Sequence, residues 1–141
     1  MQSSLLQYFT KKPKHLFLTD AVGALVTALT WLVWKLLFAE QFKFHSDVFS
    51  GLIFYAIALF CASMQFYLFA KKDFRRCINF LIFGNTGFVI VLLLLLYFFW
   101  SEINVFPKIY MLLEILIVTS IVFLETKVKN RLMEKSLDRV N

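Results

Sequence analysis

Residues 15–38 read HLFLTDAVGALVTALTWLVWKLLF, an apolar run that carries Asp20 near one end and Lys35 near the other. A helix rising 1.5 Å per residue needs about 20 residues to cross roughly 30 Å of hydrocarbon, so this run is long enough to span a bilayer. Neither charge can then face lipid cheaply. At mid-helix a charge costs about 2.5–3.5 kcal/mol on insertion scales, and the usual remedies are a buried partner, snorkelling or a neutralised acid. The remaining apolar segments have to supply those partners.

The chain has 141 residues, 60% of them hydrophobic and 18% aromatic, against the 45–50% apolar content of soluble domains. This composition implies one integral membrane unit. The formal charge of +6 sits in the gaps between apolar runs, where lipid headgroups, not nucleic acid, are the expected partner. Two isolated cysteines, Cys61 and Cys77, form no CxxC pair and suggest neither a disulfide nor a redox couple. Cys61 reads as a small core residue. His15 and His45 fall at opposite ends of the first run, so no metal site and no cofactor is expected.

Four spans are expected, at about residues 15–38, 48–70, 77–100 and 107–126. Residues 1–14 place Leu5, Leu6 and Phe9 before a basic cluster, and are read as a cytoplasmic tail in preference to a short interfacial helix. The first run is too long for a signal-peptide core and no small-x-small cleavage site follows it, so it is read as a retained anchor. Ser46 or Asp47 is placed to cap the second span. The short turn KKDFRR suits antiparallel neighbours, and Pro107 suits a first helical turn. In residues 127–141, Val128, Leu132, Met133, Leu137 and Val140 recur among charges at helical spacing, as in a basic amphipathic tail that extends the last helix. The expected fold is all-α: an antiparallel up-down four-helix membrane bundle.

Lysine and arginine fix the expected orientation. Twelve of the fifteen, Arg139 among them, fall in the two termini and the 71–76 turn, while Lys35, Lys43 and Lys108 lie toward the other side. The positive-inside rule then puts both termini in the cytoplasm and makes any homo-oligomer parallel.

Polar groups within the spans fall at two levels. Asp20, Gly23, Ala24, Thr27, Trp31 and Lys35 share one stripe of the first span, which should face the bundle. The second span offers Ala58, Cys61, Ala62 and Gln65 on one face, the third Asn79, Gly84, Asn85 and Gly87, and the fourth Tyr110, Glu114, Ile117, Val118, Ile121 and Glu125. Asp20, Gln65 and Asn85 lie five to eight residues from cytoplasmic helix ends, roughly 7–12 Å in, and can meet. Glu125 either joins them or pairs with Arg75, Arg76 or Lys127. At the outer level a Lys35–Glu114 ion pair is expected. Asp20, Gln65, Asn85, Glu114 and Glu125 are the candidate ligand- or proton-binding residues, and none is assigned a catalytic role. Amides and hydroxyls at such positions more often join helices than form sites. A sunken carboxyl suits either a neutral hydrogen-bond donor or a proton-binding group.

These residues bring a resemblance with them. LFLTDAVGALVTA with Asp20, Gly23 and Ala24, the turn ending in Arg75 and Arg76, Asn85, YMLLE with Tyr110 and Glu114, and FLETK with Glu125 resemble a family of small, uncharacterised four-span bacterial membrane proteins. The resemblance covers residues 14–127. It implies the same architecture in a bacterial inner membrane and points at the same polar residues, without supplying a reaction. The longer first loop and Lys35 depart from the pattern.

No P-loop, GxGxxG, HExxH or GxSxG motif occurs. The leading expectation is therefore a non-enzymatic binding or accessory module whose polar intramembrane pocket takes a lipophilic small molecule or a partner membrane protein. The alternative is a proton-coupled small-molecule transporter subunit acting as a parallel oligomer. A third reading is a quinone-linked subunit resembling DoxX-type proteins, which the solitary cysteines and missing haem ligands weaken.

Overall fold

The computed structural model describes residues 2–138; Arg139 and Val140 lie outside the described residues. Six helices follow in order: α1 (Gln2–Lys11), α2 (Pro13–Leu37), α3 (Ala39–Phe42), α4 (Ser46–Phe69), α5 (Phe74–Phe98) and α6 (Val105–Leu137). The described residues contain no strand. Four helices, α2, α4, α5 and α6, are long and apolar enough to cross a membrane. At 1.5 Å per residue, α2, α4 and α5 are about 36–38 Å long and the 33-residue α6 about 50 Å. Their outward surface is greasy: Phe83 is 82% exposed, Phe106 79% and Phe69 71%. Water would not tolerate so continuous an apolar exterior.

The amino-terminal segment is a helix, not a tail. Leu6 and Phe9 lie one turn apart and bury against Leu16, Phe17 and Val128, tying α1 to α2 and α6. Lys12 alone separates α1 from α2, with a non-helical backbone (φ −130°, ψ 70°). Proline disfavours the α conformation in the residue before it and suits the first helical position, so Pro13 ends one helix and starts the next.

Other boundaries differ in small ways. The α4 helix begins at Ser46 behind an extended His45, and no side chain caps it. Pro107 lies within the first turn of α6, and that helix continues unbroken past residue 126. The loop after α2 contains the short α3, closed by Lys43 in the left-handed region (φ 53°, ψ 20°). This turn delivers Phe42, fully buried, against Trp31, Trp34 and Phe49. Asn104 then ties the last loop to it: its backbone N–H donates to the Gln41 carbonyl (3.0 Å) and its Nδ2 to Gln41 Oε1 (2.7 Å).

The helices pack mainly as two pairs, α2 with α4 and α5 with α6. The pairs meet closely at two glycines of α5. Tyr55 on α4 donates to the Gly84 carbonyl (2.9 Å), and a Cβ built on Gly84 would lie 2.5 Å from Leu59 Cδ2. Gly51, exposed on α4, has nothing within 4 Å of such an atom. Gly84→Leu is therefore expected to cost about 1–3 kcal/mol through overpacking. Gly51→Ala should be neutral or stabilising by up to about 1 kcal/mol. Thermal unfolding of the two variants in detergent checks the contrast.

Candidate functional site

The apolar interior is divided in two. One cluster holds Trp31, Phe42, Phe49, Leu52, Phe88 and Met111; the other holds Leu6, Phe9, Leu16, Phe17, Leu81 and Val128. Between them each long helix contributes one buried polar side chain: Asp20 from α2, Ser63 from α4, Asn85 from α5 and Glu125 from α6. Each lies three or four residues from an apolar anchor, as in Phe17–Asp20, Leu59–Ser63, Leu81–Asn85 and Glu125–Val128, so the same helix faces that build the clusters present the polar layer.

Asn85 Nδ2 donates to Asp20 Oδ1 at 2.8 Å and reaches toward the two Glu125 oxygens at 3.4 and 3.5 Å. Ser63 Oγ contacts Asp20 Oδ2 and also lies 2.8 Å from the Leu59 carbonyl. A hydroxyl has one hydrogen, so Ser63 shares it between the Asp20 carboxyl and the Leu59 carbonyl. No Lys or Arg pairs with either carboxyl; among the described residues the ion pair found is His45–Asp47, at the surface.

A second buried carboxyl level belongs to Glu114. Trp31 Nε1 donates to its two oxygens at 2.9 and 3.2 Å, and the Thr27 and Tyr110 hydroxyls stand beside it. The indole is fully buried, with Tyr110 edge-on at 5.4 Å. An indole N–H sealed in this way requires an acceptor, and Glu114 is that acceptor.

A cavity of about 400 Å³ joins the two levels. It lies between α2 and α6, with Asp20 and Asn85 at one end and Tyr110 and Glu114 at the other, and a floor that includes Leu59 and Phe88 from α4 and α5. Eleven residues separate Asp20 from Trp31 on α2 and Glu114 from Glu125 on α6, so the two polar levels are about 16 Å apart along each helix. Exposed Val26, Leu113 and Ile117 edge the opening. The cleft thus has oily walls, acidic ends and a mouth among exposed apolar side chains.

Asp20, Asn85 and Glu125 come together as one of the two sequence readings has it, and Glu125 joins the layer instead of the basic residues: Lys127 lies over the Phe123 ring. Two expectations are corrected. Gln65 is exposed, and Ala58 and Cys61 with it, because α4 turns its Phe49–Leu52–Ala56–Leu59–Ser63 face inward. Ser63 occupies the place foreseen for Gln65. Lys35 does not pair with Glu114; its Nζ donates to Ser50 Oγ at 2.7 Å. Lys35 lies a full turn beyond Trp31, and it is Trp31 that reaches Glu114. The signal for Ser63 was its four-residue step from Leu59, and for Trp31 its place on the Asp20 stripe.

No family model, curated protein or solved structure matches the chain.

Because Lys35 and Glu114 do not touch, Lys35→Met and Glu114→Gln should be additive to within about 0.5 kcal/mol in a double-mutant cycle. Glu114→Leu, by stranding the Trp31 N–H, should cost about 1–3 kcal/mol more than Glu114→Gln, which keeps an acceptor. Equilibrium unfolding followed by tryptophan fluorescence measures both.

Proposed function

We propose that the chain is a multi-pass bacterial inner-membrane protein with both termini cytoplasmic, acting as a non-enzymatic binding or accessory module. The helices run up and down in this reading. The hydrogen bonds between Gln41 and Asn104 support it, since they gather the two loops away from the basic turn and termini at one end. The single observation that carries the function is the cleft between α2 and α6: about 400 Å³, apolar along its length, with a carboxyl-bearing cluster at each end. Its shape and chemistry fit a lipophilic molecule bearing a hydrogen-bond donor or an amine. The body would lie along Leu59, Phe88 and Val118, and the polar head would meet Glu114, Tyr110 and Thr27. Small-molecule sites commonly combine such oily walls with a few convergent polar groups.

A second reading, a proton-coupled carrier working as a parallel oligomer, draws on one specific observation. Asp20 and Glu125 approach the same amide without a cation, an arrangement able to hold a single proton between them. A carrier would use that proton in exchange for ligand bound at Glu114.

Native mass spectrometry from a gentle extract, paired with uptake of a lipophilic amine into proteoliposomes, separates the two readings. The module predicts a retained small molecule or partner protein that is lost in Glu114→Gln, and no flux. Flux abolished by Asp20→Asn while the fold survives would replace the module by the carrier. Absence of both retained mass and flux would overturn the cleft as a site.

A further inference from the structure

A second groove, of about 710 Å³, lies on a different face of α6 beneath α1. Its long wall is one face of α6. Leu116, Ser120, Phe123, Lys127 and Arg131 follow one another at steps of four, three, four and four residues, which keeps them in line along the helix. Leu5 and Leu6 of α1 roof the far end. The face changes character once: apolar and hydroxyl-bearing up to Phe123, cationic from Lys127 on. Lys127 Nζ stands 4.4 Å over the Phe123 ring, which holds the ammonium at that boundary. Arg131 has no ion pair among the described residues, and no carboxylate lines the groove. Lys129, by contrast, turns away and donates to Asn79 (2.8 Å).

The groove's dimensions indicate an occupant. From Leu116 to Lys127 is eleven residues, about 16 Å, or half of a hydrocarbon core roughly 30 Å thick. An apolar channel one leaflet deep, ending in two unpaired cations at the level where α6 leaves the hydrocarbon, complements one acyl chain and the phosphate attached to it. We propose that this groove is a binding site for an anionic phospholipid, its acyl chain lying along Phe123 and Leu116 and its phosphate held by Lys127 and Arg131. The planar guanidinium of Arg131 can take two phosphate oxygens at once, while Lys127 acts as a point charge. The α1 helix forms the lid of this site, because with Leu6 and Phe9 anchored in the core and Leu5 outward it closes the groove over the chain.

The experiment uses the full chain in nanodiscs of phosphatidylcholine containing a minor fraction of phosphatidylglycerol, with the lipids retained after release read by native mass spectrometry. Wild type should retain phosphatidylglycerol preferentially. Lys127→Gln combined with Arg131→Gln should reduce that preference on the order of tenfold. Both side chains are exposed, so the fold should persist, and an unchanged thermal transition verifies this. Lys71→Gln with Lys72→Gln removes the same charge from the exposed turn between α4 and α5 and should leave the preference intact. Leu116→Trp, which fills the channel but keeps both cations, should weaken retention as well. Added inorganic phosphate should not displace the lipid. Equal loss in the Lys71/Lys72 variant would reduce the effect to general surface charge and overturn the site. So would displacement by free phosphate, or no lipid preference in wild type.

Discussion

Two carboxyl groups buried side by side without a cation are the constraint around which the bundle is built. Desolvation makes such groups costly unless each is hydrogen-bonded, and the fold answers by taking one side chain from every long helix. Asn85 donates toward both acids and Ser63 meets Asp20, while Glu125 closes the set from α6. Apolar contacts are nearly non-directional and would allow these helices to slide or rotate against one another. A four-way polar contact does not. The layer therefore specifies the relative height and rotation of all four helices at once, in the way a single buried polar position fixes register in a coiled coil.

The half of the bundle around Glu114 solves a related problem with different means. Glu114 sits among aromatic groups, and its partners are an indole N–H and hydroxyls. Around it Trp31, Phe42, Phe49 and Tyr110 form a wall whose rings meet at steep angles, and the short α3 turn exists to place Phe42 in that wall. The two levels differ in what they leave open. The Asp20–Asn85–Glu125 layer is nearly spent on its own hydrogen bonds, whereas Glu114 and Tyr110 border the cavity with oxygen atoms that a guest could reach.

Much of this organisation was legible in the residues. Four apolar runs of spanning length gave four long helices, and Asp20, Trp31, Asn85, Glu114 and Glu125 all face inward because each is a polar or amphipathic group interrupting a run that lipid would otherwise cover. The second span misled for a physical reason. That helix is apolar all round, so Ala58–Cys61–Ala62–Gln65 and Leu52–Ala56–Leu59–Ser63 are equally good helical stripes, and periodicity cannot choose between them. A large amide drew attention from the small hydroxyl two residues earlier. Lys35 misled differently: opposite charges at similar depth suggested a pair, but a long flexible side chain close to a helix end finds the Ser50 hydroxyl of α4 more easily than a buried acid. The α1 helix was hidden because its few apolar residues acquire meaning only within a cluster that draws on distant parts of the chain, Leu81 and Val128 among them.

The sandwiching of one polar stratum between two apolar clusters has a consequence for how sequences of this kind can vary in length. Adding or deleting a single residue turns everything beyond it by about 100° on a helix. Between Phe17 and Trp31, or between Met111 and Val128, such a change would swing either the acid or its neighbouring anchor out of the bundle. Those stretches are held to their spacing as well as to their residues. A change of length costs least in the exposed turn between α4 and α5, at Lys71 and Lys72, so the bundle's middle is fixed in length while that rim is free to drift.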